Sequence, residues 1–286
     1  GKTVLLNELN NVADGLKFKS AIVEAHEGKP LLDLLVPSLR TILFSLSRLE
    51  NAKEKTRYGL RTLKGFLNGL HVKVGDLDIG LSMDSEIGVA DSGDIEADLP
   101  DLITVIGEAA KAGETPVALF VDELQYLSPK EFSALIMSIH RINQRQLPLL
   151  LIGAGLPQIH GLAGNSKSYA ERLFRFPEIG ALDRVDAILA IANPAEAEGA
   201  SFTEDAIDLI LDLTERYPYF LQQWSYEAWN ISETSVISRA TVEIATEKAI
   251  QELDRSFFKV RFERCTPSEK KYMRALAEFG RGTHRS

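Results

Sequence analysis

Two short apolar runs constrain the fold of this chain more than any other feature. VALFV at 117–121 and LPLLLIG at 147–153 contain no charged side chain, and a segment with helical spacing separates them. Strands that are apolar on both faces are typical of parallel sheets that helices cover on both sides. FKSAIVEA at 18–25 is predicted to be a further buried strand. The chain is therefore expected to contain an α/β domain.

Helical segments alternate with these strands. Apolar spacing predicts a helix from Thr3 to about Asp14, and an apolar helix that begins at Pro30, with a kink or a split expected at Pro37. Further helices are predicted at about 99–112 and after Ser128, where Ser128 and Glu131 have the spacing of a capping box. Alternation of helix and strand indicates a three-layer domain with a mostly parallel sheet. The alternating residues HVKVGDLDIGL at 71–81 interrupt this order and predict a hairpin.

The final third of the chain is predicted to contain helices and no strands. After about Asp183, four segments have helical spacing, and the last of them begins with a second capping box at Thr266 and Glu269. We therefore expect an all-helical subdomain there.

Composition excludes several classes of protein. The 286 residues carry a formal net charge of −9, whereas a surface that binds duplex DNA normally has a basic excess. Cys265 is the single cysteine, so no intrachain disulfide can form. The apolar runs are far shorter than the roughly 20 residues that span a bilayer. The five histidines show no metal-ligand spacing.

The first residues suggest phosphate chemistry. Gly1, Lys2 and Thr3 precede a helix, as do the last residues of the phosphate-binding pattern G-x-x-x-x-G-K-[ST]. In that pattern backbone N–H groups surround the phosphates, the Lys reaches the β- and γ-phosphates, and the Ser or Thr holds Mg²⁺. Three residues alone are a weak signal.

A pair of carboxylates gives the second signal. Asp122 and Glu123 follow the apolar run 117–121, and ligands bind at the carboxyl ends of strands in open α/β sheets. There Asp122 could hold Mg²⁺ through water, and Glu123 could orient and polarise an attacking water. The alternative is a solvated helix cap, but the combination with Gly-Lys-Thr favours a nucleotide site.

Five segments in order resemble bacterial and archaeal AAA+-type ATPases related to origin-recognition and STAND ATPases. They are GKTVLLNEL, LFVDELQYL, LLLIGAGLPQI, RLFRFPEIGAL and RYPYFLQ. The resemblance implies a P-loop NTPase core at 1–182, a helical lid at 183–264 and the start of a winged helix at 265–286. It also implies that the core lacks its first strand and the start of Walker A, so that the chain is truncated at both ends.

The resemblance assigns roles to single residues. Lys2 and Thr3 match the end of Walker A, and Asp122 and Glu123 match Walker B. Gly153, Ala154 and Gly155 stand where many relatives have a polar sensor-1 side chain, so a backbone contact or no contact is expected there.

Three further residues have both a functional and a structural interpretation. Arg172 and Arg175 precede FPEI at 176–179, which is predicted to be the last strand. Either could be an arginine finger that acts in a neighbouring copy of a homo-oligomer, or both could lie on a solvated helix face. Pro218 could lie near the nucleotide base in the lid, or simply begin a helix.

The expected function is binding and Mg²⁺-dependent hydrolysis of ATP as a conformational switch. Two alternatives remain open: a scaffold that holds ATP or ADP without hydrolysing it, and an initiator-like protein that contacts DNA through the part of the winged helix that the chain lacks. A protein partner and a cytoplasmic location are also expected, without membrane association.

Overall fold

A computed structural model describes residues 1–70, 84–159, 161 and 170–280 of this protein. The chain divides into two compact units, Gly1–Ile179 and Gly180–Ser286. The predicted hairpin at 71–81 lies outside the described residues.

The first unit is built on a three-stranded parallel sheet. Its strands are β1 (Lys19–Glu24), β2 (Val117–Asp122) and β3 (Leu149–Gly153). They lie in the order β1-β2-β3, so β2 is central and hydrogen-bonds to both neighbours. All three predicted strands are present, but only β2 is buried along its whole length, since Val23 is the one buried residue of β1 and Leu149 that of β3. Because the strands are parallel, their carboxyl ends meet at one edge of the sheet.

Helices of the first unit fill the chain between and around these strands. They are α1 (Lys2–Gly15), α2 (Leu31–Leu46), α3 (Lys53–Gly69), α4 (Ile95–Ala112), α5 (Pro129–Gln144) and α6 (Ala170–Leu173). Helix α2 continues through Pro37 without a break.

Helices cover both faces of β2, as its apolar sequence predicts. Val117, Leu119 and Val121 belong to a large core cluster with residues of α2 to α5. Ala118 and Phe120 point to the opposite face, where they pack with residues of α1. Successive side chains of a strand alternate between faces, so an unbroken apolar run serves both cores at once. The unit is thus an α/β fold, and α1 packs on the face of the sheet opposite to the large core cluster.

A capping box begins α5 and also ties two helices together. Ser128 Oγ accepts a hydrogen bond from Glu131 N at 3.3 Å, and Glu131 Oε2 accepts one from Ser128 N at 2.9 Å. The other carboxylate oxygen of Glu131 accepts a hydrogen bond from Leu31 N at the start of α2. The predicted capping box is therefore confirmed, and its Glu also supports the helix that follows β1.

Replacing Ser128 by Ala is expected to lower the free energy of unfolding by about 1 kcal/mol, because the cap of α5 is lost. Urea titration followed by circular dichroism measures the change. Ser47→Ala is the matched control, since Ser47 only donates to the Phe44 carbonyl at the end of α2. An equal loss in both variants would contradict a specific role of the capping box.

The predicted strand FPEI at 176–179 is wrong. Residues 174–180 form neither strand nor helix. Phe174 and Phe176 pack against the large core cluster while Arg175 is exposed, so the side chains alternate in burial here. Pro177 has no N–H for a sheet ladder, so this alternation occurs without strand pairing.

The second unit is mainly helical. Its helices are α7 (Arg184–Ala197), α8 (Glu204–Thr214), α9 (Pro218–Ile231), α10 (Arg239–Glu252), α11 (Lys259–Arg264) and α12 (Pro267–Phe279), and a π-helical turn, Leu253–Phe258, joins α10 to α11. Its core contains Leu221 and Trp224 of α9 and Val242 of α10, and the Trp224 indole N–H donates to Thr246 Oγ1 at 3.1 Å.

The expectation of an all-helical second unit is wrong in one detail. Two short segments, β4 (Ser201–Phe202) and β5 (Val236–Ile237), pair in parallel. Each has two residues, which is too short for an alternating pattern to show in the sequence. Ile237 of β5 is buried in the core of this unit. The pair therefore links the connection between α7 and α8 to the connection between α9 and α10.

The second predicted capping box, at the start of α12, is confirmed. Thr266 N and Thr266 Oγ1 both donate to Glu269 Oε2, at 2.7 and 2.9 Å. These hydrogen bonds hold the pKa of Glu269 below its ordinary value, and the one from the Thr266 backbone has the larger effect. The ionised Glu269 therefore stabilises the folded state at pH values above the ordinary pKa of a glutamate. This stabilisation is lost as the pH falls through the lowered pKa of Glu269.

Candidate functional site

Three chain segments meet at the carboxyl edge of the sheet in the first unit. They are the N-terminus of α1, the end of β2 with the turn that follows it, and the residues directly after β3. Hydrogen bonds join all three, and the residues involved are far apart in the sequence. This edge is where open parallel sheets bind ligands.

Thr3 and Asp122 are in direct contact. Thr3 Oγ1 donates to Asp122 Oδ2 at 2.6 Å, across 119 positions of sequence. Asp122 Oδ1 accepts a hydrogen bond from Glu123 N at 2.9 Å, and the Asp122 side chain is only 2% exposed. Both carboxylate oxygens of this buried acid are therefore satisfied, as buried charged groups require. The two residues that the sequence assigned to a metal ion lie side by side.

Lys2 reaches the segment after β3. Its Nζ donates to the Gly155 carbonyl oxygen at 2.9 Å. The lysine thus bonds to the backbone of the segment that follows β3.

Glu123 occupies an unusual backbone conformation. Its φ of 56° and ψ of 41° place it in the left-handed region, which is rare for a residue with a long side chain. Two neighbours fix this turn: Leu124 N donates to the Ala154 carbonyl at 2.9 Å, and Tyr126 N donates to the Glu123 carbonyl at 3.0 Å. This turn sets the direction in which the Glu123 side chain leaves the end of β2, and six other non-glycine residues in the described parts of the chain also have a positive φ.

Gln125 is a residue that the sequence interpretation missed. Its Nε2 donates to Glu123 Oε2, and its Oε1 accepts a hydrogen bond from Leu156 N at 3.1 Å. A Cβ added at Gly155 would lie 2.8 Å from Gln125 Oε1, so the amide packs closely against this segment. The only signal in the sequence was a polar side chain between the apolar Leu124 and Leu127, which does not specify a contact.

The N-terminus of α1 adds hydrogen-bond donors to the site. Gly1 is the N-cap residue, and its carbonyl accepts a hydrogen bond from Leu5 N at 3.1 Å. The first N–H groups of a helix have no intrahelical partner and favour anions. A Cβ added at Gly1 would meet no atom within 4 Å, so packing in this structure does not require glycine there.

The other predicted site residues are not part of this hydrogen-bonded group. Arg172 is the third of the four residues of α6, Arg175 lies two residues after that helix, and both side chains are exposed. Pro218 is the first residue of α9 in the second unit, where proline suits the first turn of a helix.

The Thr3–Asp122 pair brings a hydroxyl and a carboxylate oxygen together at this edge of the sheet. Hydroxyl and carboxylate oxygens are the ligands that Mg²⁺ prefers, and it commonly takes one or two protein ligands with waters and substrate phosphates. Among the described residues, no group of three or more His, Cys, Asp or Glu side chains is arranged to hold a metal. The pair therefore fits Mg²⁺ bound together with a phosphate ligand.

Comparisons with known proteins bear on the end of the chain alone. A family model described as a Domain of unknown function (DUF8462) matches residues 255–286, which begin in the π-helical turn and include α11 and α12. Comparison with curated proteins found no match. In the described parts of the chain, none of the helices has the length and apolar character needed to cross a membrane. The expected cytoplasmic location stays a prediction.

Proposed function

We propose that this protein is a P-loop ATPase of the AAA+ type that binds ATP with Mg²⁺ at the carboxyl edge of its sheet and hydrolyses the bond between the β- and γ-phosphates, which gives ADP and phosphate. The observation that carries the proposal is the 2.6 Å hydrogen bond between Thr3 and Asp122. It joins the residues that match Walker A and Walker B, although 119 positions of sequence separate them.

Each residue of the site has a task in this proposal. Lys2 exchanges the Gly155 carbonyl for phosphate oxygens, and the first N–H groups of α1 donate to the same phosphates. Thr3 and Asp122 hold Mg²⁺, which when bound neutralises the charge that develops on the phosphoryl oxygens. Glu123 accepts a hydrogen bond from the attacking water and orients it.

Less direct observations support the remaining roles. Arg172 and Arg175 are exposed, as an arginine that acts on a neighbouring copy must be. An arginine that stabilises the transition-state charge can raise the rate by about 10³- to 10⁵-fold. Pro218 starts the helix that follows the Glu215–Arg216 turn in the proposed lid, and α12 is the first helix of the proposed winged helix.

One observation favours the second candidate, a nucleotide-bound scaffold without hydrolysis. Gly153, Ala154 and Gly155 supply no polar side chain after β3. A site that lacks this contact can still bind ATP through Lys2 and Thr3. Turnover therefore separates the two candidates, whereas ATP binding does not.

Replacing Thr3 by Val tests the Mg²⁺ site. The change keeps the β-branched shape of the side chain but removes the hydroxyl that contacts Asp122. Loss of one such ligand group is expected to lower kcat by about 10²-fold or more and to raise the Mg²⁺ concentration needed for half-maximal turnover.

The measurement is ATP turnover over a titration of Mg²⁺, with Thr41→Val as the control. Thr41 is exposed on α2, and its hydroxyl donates to the Pro37 carbonyl of the same helix. An unchanged Mg²⁺ dependence in Thr3→Val would contradict the assignment of Thr3 to the metal.

A further inference from the structure

The Gln125 side chain is held at both ends of its amide. Leu156 N–H donates to Oε1 at 3.1 Å, and the Nε2 group donates to Glu123 Oε2. The orientation of the amide follows from chemistry. A backbone N–H can only donate, so the amide oxygen must face Leu156, and the NH₂ group is then left to face the carboxylate.

The Glu123 carboxylate is therefore bound by a donor that is itself anchored to the backbone. Gln125 lies in the 3₁₀ turn Leu124–Tyr126, which begins directly after Glu123. The left-handed backbone of Glu123 fixes the direction of its Cα–Cβ bond, and the hydrogen bond from the Gln125 amide fixes the position of its carboxylate. A long acidic side chain at a strand end would otherwise sample several rotamers.

The same backbone segment also contacts Lys2. Lys2 Nζ is bound to the carbonyl of Gly155, and Gln125 is bound to the N–H of the next residue, Leu156. Gly155 thus holds Lys2, which is proposed to bind phosphate. Leu156, the next residue, holds Gln125 and through it Glu123, which is proposed to orient water.

We infer that Gln125 is a positioning residue: its amide links the Glu123 carboxylate to the backbone of Leu156 and holds that carboxylate in the orientation that polarises the attacking water. The inference rests on the proposed function. Gln125 does not itself touch ATP or the water. Its effect therefore falls on the chemical step and leaves nucleotide binding unchanged.

Two variants separate this role from a merely structural one. Gln125→Glu keeps an oxygen for Leu156 N–H but replaces the donor to Glu123 by a second carboxylate. Gln125→Met has a similar size and makes neither hydrogen bond. Both are expected to lower kcat for ATP by about 10- to 100-fold, which is the effect of a misplaced catalytic group. The KM for ATP and the Kd measured with a fluorescent ATP analogue stay within about threefold of the parent.

A double-mutant cycle adds a readout that a structural role would not move. If Gln125 acts only through Glu123, then Gln125→Glu placed on top of Glu123→Gln lowers the residual rate by less than about twofold. Gln144→Glu is the matched control. It makes the same change of charge on an exposed amide at the end of α5, and its kcat should equal that of the parent.

The outcomes distinguish the inference from the proposed function. If the parent hydrolyses ATP and both Gln125 variants have the same kcat as the parent, the inference is overturned and the ATPase proposal stands. The same holds if Gln125→Glu lowers kcat in the Glu123→Gln background by as much as it does in the parent. A parent that shows no Mg²⁺-dependent turnover overturns the proposed function, and the inference falls with it. A loss of kcat confined to Gln125→Met would assign Gln125 to anchoring Leu156 and would also overturn the inference.

Discussion

Replacing Glu123 by Gln is expected to lower kcat for ATP hydrolysis by about 10²- to 10⁴-fold, the usual contribution of a general base. The amide has nearly the shape of the carboxylate but cannot accept a proton from water. The change leaves Lys2 and the Thr3–Asp122 pair in place, so the Kd for ATP should stay within about threefold. Steady-state turnover and equilibrium binding of labelled ATP measure the two quantities.

Glu114→Gln is the matched control for this experiment. Glu114 also has a left-handed backbone, with φ of 48°, but it is exposed in the connection between α4 and β2. The two variants make the same change of charge in the same backbone conformation. Equal turnover in Glu123→Gln and in the parent would remove Glu123 from the reaction.

Replacing Phe120 by Ala is expected to lower the free energy of unfolding of the first unit by about 3–5 kcal/mol, as for other large-to-small changes in a protein core. Phe120 is fully buried in the central strand and packs with Leu6 and Ala13 of α1. Its loss leaves a cavity between the sheet and the helix that carries Lys2 and Thr3. Urea unfolding at equilibrium measures the change.

The neighbouring strand offers a matched control for Phe120→Ala. Ile22 of β1 is in register with Phe120 but is 38% exposed. Because much less of its surface is removed from water, Ile22→Ala should cost clearly less, about 1 kcal/mol. If the two variants were equally stable, the packing of α1 on β2 would contribute little to stability.

The central strand of the first unit could be predicted because burial on both of its faces selects an unbroken apolar run. Every residue of β2 is buried, and only a central strand between two helical layers needs side chains such as Val117 and Phe120 on both faces. The capping boxes at Ser128 and Thr266 were also predictable, since they depend on residues three positions apart.

Contacts that depend on distant backbone could not be predicted. The partner of Gln125 is the N–H of Leu156, and the partner of Lys2 is the carbonyl of Gly155. Every residue has a backbone N–H or carbonyl, so neither contact leaves a residue type or spacing in the sequence. The left-handed backbone of Glu123 is hidden for the same reason, because the turn is fixed by Leu124 bonding to Ala154.

Two predictions failed where pairing between distant segments decides the structure. Residues 176–179 were expected to be a strand, yet no ladder forms there beside Pro177. The pair β4–β5 is the opposite case, since pairing occurs where two residues are too few to show a pattern. In both cases the outcome depends on what lies beside the segment in space.

The most direct test of the ATPase proposal is ATP hydrolysis by the protein beside its Lys2→Ala variant, with and without Mg²⁺. Lys111→Ala, which removes an exposed lysine from the last turn of α4, is the control. The proposal predicts Mg²⁺-dependent turnover in the parent and the control, and its loss together with weakened ATP binding in Lys2→Ala. Absence of ATP binding in all three proteins would contradict it, as would turnover that is unchanged in Lys2→Ala.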